Sequence, residues 1–86
     1  MPTVKIFASL RKIAGTKELS AAGTTVGDVL SGLRKQNPLL VETILEDGTL
    51  RPHFVITING HNALDLNTPV TEQDVIAIFP PIAGGS

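Results

Sequence analysis

Cysteine, tryptophan and tyrosine are absent from this chain of 86 residues, and three phenylalanines are its only aromatic residues. The absence of cysteine excludes thiol nucleophiles, disulfide bonds and thiolate metal sites, and it is compatible with a reducing compartment. No apolar run approaches the roughly 18 residues of a membrane-spanning helix. The first ten residues also lack the basic and apolar regions of a signal peptide. We therefore expect a cytoplasmic protein that does not bind membranes.

An excess of charge of one sign is also lacking. Seven basic and eight acidic residues are mixed along the chain and give a net charge of −1, which argues against a nucleic-acid partner because such proteins carry a basic face. The only two histidines, His53 and His61, have no third ligand near them in the sequence, so no metal site is predicted. The acidic residues form no convincing catalytic pair, and the glycines form no phosphate-binding loop. We expect that this chain binds no cofactor itself.

One helix is clearly predicted, over residues 25–37. Thr25 is a good N-cap, and Asp28 in the first turn suits both a capping box and the positive end of the helix dipole. Asn37-Pro38 ends the helix, because a residue before proline disfavours helical angles. The apolar positions recur at i, i+3, i+4 and i+7, which defines one helix face: Val26, Val29, Leu30 and Leu33.

Four strands are predicted around this helix. They are recognised by alternation or by β-branched content, and they cover residues 3–9, 17–20, 54–58 and 75–79. Residues 39–45 are ambiguous between a short helix and a packed loop. Glu46-Asp47-Gly48 and Asn59-Gly60 are turn signals.

The order of these elements predicts an α+β fold, a β-grasp roll in which a mixed sheet carries one main helix across one face. The first and last strands should be parallel neighbours at the sheet centre. We expect a single domain over residues 1–79, followed by an extended, flexible tail over residues 80–86.

Both faces of the predicted sheet carry apolar residues, although one helix covers only one face. Phe7 and Phe79 fall on the uncovered face by alternation, and exposed apolar patches often mark interaction sites. Alternatively, residues 39–45 or a folded-back tail cover them. The side chains predicted to face the helix are Val4, Ile6, Ala8, Ile76 and Ile78.

The C-terminal tail is the strongest candidate for chemistry. Pro80-Pro81 stiffens the exit from the sheet, and Gly84-Gly85 carries no side chain, so a narrow tunnel can admit it. A glycine carboxylate at a chain end can be adenylated and then converted to a thiocarboxylate or an amide. A glycine-rich end alone is a weak signal, since many termini fray. Its position directly after the last strand favours a function.

Two segments give a resemblance to a known family. Pro80-Pro81-Ile82-Ala83-Gly84-Gly85 resembles the ending of the small subunit of molybdopterin synthase, a ubiquitin-fold sulfur carrier. Residues 7–15 resemble that family's phenylalanine-alanine-x-x-arginine-x-x-x-glycine segment. Asp74 with the last strand and Ile58-Asn59-Gly60 also fit, so the resemblance covers essentially the whole chain.

The resemblance implies a role in molybdenum cofactor biosynthesis. An adenylating enzyme would activate the Gly85 carboxylate with ATP, and sulfur transfer would give a thiocarboxylate. The tail would then enter the large synthase subunit, in a heterotetramer, and deliver sulfur to form the dithiolene of molybdopterin. The chain would thus be the sulfur-carrying part of a sulfurtransferase, without catalytic side chains of its own. Gly84 and Gly85 are the implied reactive end, and the implied partner-binding residues are Phe7, Arg11, Phe79, Pro80, Pro81, Ile82 and Ala83.

Several alternatives stay open at this point. Ser86 follows the diglycine, whereas the active form of the family ends at glycine, so Ser86 is either removed, an expression remnant or a cause of inactivity. A protein modifier joined to lysines through Gly85 would also need this removal. A sulfur carrier for thiamine, cysteine or tRNA thiolation, or a binding domain with an inert tail, are further alternatives. Arg11 either bridges to an acidic partner or is an ordinary surface arginine.

Overall fold

The computed structural model describes residues 1–63 and 65–81, which contain seven strands and three helices. The elements follow one another as β1 Thr3–Ile6, α1 Leu10–Ala14, β2 Glu18–Ser20, α2 Val26–Gln36, α3 Pro38–Ile44, β3 Leu45–Glu46, β4 Thr49–Leu50, β5 Val55–Ile58, β6 His61–Asn62 and β7 Val75–Phe79. Within these residues no helix combines the length and the apolar composition that crossing a bilayer requires.

The main sheet has five strands in the order β2-β1-β7-β5-β6. Its central pair, β1 and β7, is parallel, with Ile6 opposite Ile78, while the other pairs are antiparallel. Helix α2 lies between β2 and β5 in the chain and packs on one face of this sheet. The predicted α+β β-grasp roll, with its mixed sheet and parallel central pair, is confirmed. The division into a domain over 1–79 and a tail over 80–86 stays a prediction.

Helix α2 forms for the reasons visible in its sequence. The Thr25 hydroxyl accepts a hydrogen bond from the Asp28 N–H at 3.1 Å, so Thr25 is the N-cap. The Asp28 carboxylate accepts bonds from the N–H and the hydroxyl of Thr24, one residue before the position a standard capping box would use. Asn37 ends the helix and caps α3 with its side chain.

A single apolar core lies between α2, α3 and the inner face of the sheet. The residues predicted for the inner face of β7, Ile76 and Ile78, are fully buried there, and Phe79 lies outside this cluster, so the predicted register of β7 is confirmed. The largest fully buried side chains include Ile6, Leu10, Leu30, Leu33, Leu40, Ile44, Ile56, Ile76 and Ile78.

The first strand is shorter than predicted. It ends at Ile6 instead of continuing to Ser9, and the short helix α1 follows. Ala8 has φ 54° and is exposed, so the prediction that it faces the helix is wrong. The physical reason is a reversal at this left-handed residue. The Leu10 N–H donates to Phe7 O at 3.2 Å, which turns the chain and buries Leu10 instead.

The ambiguous segment over residues 39–45 is mostly helix α3. Its inner side chains, Leu40, Val41 and Ile44, are fully buried in the core, and the helix packs against α1 and α2. This segment therefore does not cover the outer face of the sheet, which removes one of the two alternatives for the phenylalanines. The hairpin of β3 and β4 follows, with Asp47 and Gly48 in its turn.

Asp74 ties the Asn59-Gly60 hairpin turn to the start of β7. Its carboxylate accepts a hydrogen bond from the Thr71 N–H at 2.8 Å and another from the Asn59 side-chain amide at 2.9 Å. The Asn59 amide oxygen in turn accepts from the Val75 N–H at 2.9 Å. These hydrogen bonds lower the pKa of Asp74. The bond from the Thr71 N–H has the largest effect, and the bond from the Asn59 side chain has the second largest.

Acidification should therefore destabilise the fold through Asp74. A carboxylate whose pKa is lower in the folded state stabilises that state above the unfolded pKa of about 4. The contribution is lost as the pH falls through the folded pKa. We expect the free energy of unfolding, measured with urea, to decrease more between neutral pH and about pH 3 in the wild type than in the Asp74→Asn variant. Equal losses in the two proteins would contradict this role of Asp74.

Candidate functional site

Phe7 and Phe79 stack on each other on the outer face of the sheet. Their ring centroids are 4.6 Å apart and the planes are inclined by 14°. The parallel pairing of β1 and β7 brings them together, because the Phe7 N–H donates to Ile78 O at 3.3 Å. Both side chains are half-buried. They share the uncovered face, as the alternation predicts, whereas their role in partner binding stays a prediction.

Arg11 extends this stack from helix α1. Its guanidinium carbon lies 5.4 Å from the centroid of the Phe7 ring, in the range of a cation–π contact. The Arg11 Nε–H also donates to Ile6 O at 2.8 Å, at the end of β1. The exposed guanidinium is thus held over the aromatic pair and is not simply a freely solvated side chain. Binding of Arg11 to an acidic partner stays a prediction.

An open groove runs beside the stacked phenylalanines, with a volume of about 1190 Å³. We call it the exit groove, because β7 leaves the sheet along it. Among the described residues it is lined by Ala8, Ser9, His53, Val55, Phe79, Pro80 and Pro81. Val55 belongs here because it lies opposite Phe79 in the β5–β7 ladder. The three predicted partner-binding residues Phe79, Pro80 and Pro81 therefore share one surface.

Four residues of the exit groove were missed by the sequence analysis: Ala8, Ser9, His53 and Val55. Val55 was detectable, since alternation along β5 puts it on the face opposite Ile56. Ala8 and His53 were not, because both have positive φ values, of 54° and 70°, that simple alternation does not anticipate. Pro52 before His53 was the one available signal of a turn.

The diglycine end lies beyond the described residues. Strand β7 ends at Phe79, Pro80 is half-buried and Pro81 is exposed. The predicted site residues Ile82, Ala83, Gly84 and Gly85, and also Ser86, are outside the described residues and stay predictions. Gly85 follows Pro81 by four residues, and a stretch of four residues spans at most about 14 Å.

The rest of the described surface offers little other chemistry. In residues 1–63 and 65–81, His, Asp and Glu side chains form no cluster of three that could hold a metal ion. Two smaller clefts share Met1 and Ala22 at the other end of the sheet, where β1 and β7 begin. The exit groove is the more apolar surface and adjoins the tail, so it is the candidate site.

A β-grasp roll with a half-buried aromatic pair at the end of its last strand, followed in the sequence by a diglycine, is typical of ubiquitin-fold carriers and modifiers. The chain belongs to the ThiS family, whose sequence profile matches residues 4–85. This match includes the exit groove, Arg11 and the diglycine.

Three relatives illustrate the range of the family. Small archaeal modifier protein 3 of Haloferax volcanii is 33% identical, over 95% of this chain and 96% of that protein. The solution structure of small archaeal modifier protein 1 from Methanosarcina acetivorans is 40% identical over 96% of this chain and 94% of that one, with a TM-score of 0.84. A putative molybdopterin converting factor subunit 1 from Pyrococcus furiosus is 26% identical over 93% and 95% of the two chains, with a TM-score of 0.71.

Proposed function

We propose that this chain is a cytoplasmic sulfur carrier whose Gly85 carboxylate is activated by a partner enzyme and converted to a thiocarboxylate for molybdopterin synthesis. The observation that carries the proposal is the place where the chain leaves the sheet at the end of β7. Strand β7 leaves the sheet at the Phe7–Phe79 stack. Gly85 follows Pro81 by only four residues of sequence, so an enzyme that binds this apolar surface needs to reach at most about 14 Å beyond Pro81 for the diglycine.

The proposed chemistry uses only the terminal carboxylate of this chain. A Gly85 carboxylate oxygen attacks the α-phosphorus of ATP and pyrophosphate leaves, which gives an acyl-adenylate. Hydrosulfide supplied by a partner then attacks the carbonyl carbon, AMP leaves with the electrons of the broken C–O bond, and loss of one proton gives the thiocarboxylate. Because the chain has no cysteine, the proposal assigns the sulfur source to a partner, and it assigns ATP binding to the activating enzyme.

Delivery to molybdopterin is supported by the two end segments. Phe7 and Arg11 of the N-terminal segment are in contact, and Phe7 contacts Phe79, the residue before the C-terminal segment. The N-terminal segment therefore lies beside the point where the C-terminal segment begins. The P. furiosus relative is named a putative molybdopterin converting factor subunit, which agrees with this pathway. In the proposed function, the thiocarboxylate tail of this chain enters a large synthase subunit within a heterotetramer and supplies the sulfur of the dithiolene.

A second candidate is a protein modifier joined to lysines through Gly85. The two relatives with 33% and 40% identity are both named as modifier proteins, which favours it. Activation by adenylation is common to both functions. They differ in the group that attacks the activated carbonyl, which is a sulfur nucleophile for the carrier and a lysine amine for the modifier. Both need a chain that ends at Gly85.

Intact mass spectrometry of the untagged protein from its own host tests this proposal. We expect a chain that ends at Gly85 and has a mass increased by the exchange of one oxygen for one sulfur. The control is the Gly85→Ala protein expressed in the same way, which should carry much less sulfur because an added Cβ hinders the tail in a narrow site. A Gly85 amide on lysines of other proteins, without any thiocarboxylate, would favour the modifier instead.

A further inference from the structure

The turn that precedes β5 holds a histidine where glycine is favoured. The Phe54 N–H donates to Arg51 O at 3.4 Å and closes a turn with Pro52 as its second residue. His53 follows with φ 70°. This is the arrangement of a type II turn, whose third position needs a left-handed residue and is usually glycine. The backbone is therefore strained by the presence of a Cβ at His53.

This strain is concentrated at the exit groove. Among the described residues, four that are not glycine have left-handed φ values. Asp47 and Asn59 each precede a glycine in a two-residue hairpin turn, which requires that conformation. The other two, Ala8 and His53, both line the exit groove. Strained residues cluster at active sites and ligand clamps, so the conformations of Ala8 and His53 indicate that the exit groove binds a partner.

The ionisable groups around the exit groove indicate the chemistry of the partner surface that it binds. Among the described residues that line it, His53 is the only one that can ionise, and aspartate and glutamate are absent. The guanidinium of Arg11 lies over the Phe7 ring, and Phe7 stacks on Phe79 of the groove. The apolar surface of Val55, Phe79 and the two prolines therefore has one hydrogen-bond donor in its lining, His53, and a second donor, Arg11, on the adjoining phenylalanine. The complementary surface is apolar and carries carboxylates.

We propose that His53 is a specificity-determining residue of the docking surface. Its imidazole donates a hydrogen bond to a carboxylate on an apolar, acidic segment of the adenylating enzyme that occupies the exit groove. This inference rests on the proposed function, because it names the partner's chemistry at the same surface. The turn fixes the backbone of His53 at the groove, so the partner meets the imidazole on a preformed loop and less backbone entropy is lost on binding.

The test compares binding with stability in the full chain. His53→Gly should weaken binding to the organism's own adenylating enzyme by about tenfold, since one hydrogen bond to a charged group is lost. The same variant should unfold at an equal or higher urea concentration, because glycine relieves the strained φ and His53 is exposed. The matched control is Asp47→Gly. It relieves a similar φ of 52° in a remote turn and should leave the affinity unchanged.

The results separate the inference from the function on which it rests. If the wild-type chain binds the enzyme and His53→Gly binds equally well, the role of His53 is wrong and the proposed function stands. If the wild type is neither bound nor activated, the proposed function itself fails. Two other occupants are also tested in the free full chain. Nuclear Overhauser contacts from the His53 ring to Ile82 or Ala83, or a dimer that His53→Gly dissociates, would overturn the assignment to the enzyme.

Discussion

Adenylation should require a chain that ends at Gly85. The full chain ending at Ser86 and a chain ending at Gly84 should both react about a hundredfold more slowly with the activating enzyme. One residue more or less moves the carboxylate by roughly 3.5 Å, and a misplacement of about 1 Å can already slow a reaction a hundredfold. The measurement is the exchange of labelled pyrophosphate into ATP for the three forms at equal concentration.

The control for this experiment is stability. All three forms should unfold at the same urea concentration, because the core cluster of the described residues extends only to Ile78 and the three forms differ only after Gly84. Gly85→Ala in the form that ends at residue 85 should slow exchange without changing unfolding. Equal exchange rates in the three forms would show that the diglycine end is not the reactive site, whichever of the two functions the chain has.

Phe79→Ala should weaken docking on the activating enzyme by about 2–4 kcal/mol, as expected when an aromatic hot spot is truncated. The ring is half-buried in the free chain and stacks on Phe7 at 4.6 Å. It therefore offers a partner a preformed aromatic surface. Isothermal titration of the wild type and the variant with the enzyme measures this loss.

The folding stability should change much less. Phe79 lies outside the buried cluster. The free energy of unfolding should therefore fall by the stacking energy of the aromatic pair, about 0.5–1.5 kcal/mol, in addition to the contribution of the apolar area that the half-buried ring covers. Val75→Ala is the matched control, because Val75 lies on the same face of β7 but about 13 Å along the strand. We expect Val75→Ala to bind normally. A Phe79→Ala protein that melts far lower and binds like the wild type would show that Phe79 serves the fold instead.

The elements that could be predicted are those with an apolar pattern that repeats over several turns or with a strong helix cap. Helix α2 has both, since Val26, Val29, Leu30 and Leu33 recur on one face and Thr25 caps the first turn. The register of β7 follows from simple alternation. The turn at Asn59-Gly60 was visible because both residues suit left-handed angles, which the structure shows as φ 51° and 87°.

The elements that could not be predicted are short or depend on distant contacts. Helix α1 has five residues, too few for a helical period to show, and it exists because Ala8 reverses the chain. The segment of α3 was ambiguous since its apolar run fits a packed loop equally well. The exit groove combines Ser9 and His53 across 44 positions of sequence. Only the paired strands bring them together, so no local pattern identifies them as neighbours.

The central position of β7 has a mechanical consequence for a protein that is held by its tail. A pull on Pro80 is transmitted along β7, whose hydrogen bonds to β1 on one side and to β5 on the other are loaded in shear. Many bonds must then break together, whereas a strand at the sheet edge could be peeled away one bond at a time. In the proposed function, the activating enzyme can therefore pull on the tail while the rest of this chain stays folded.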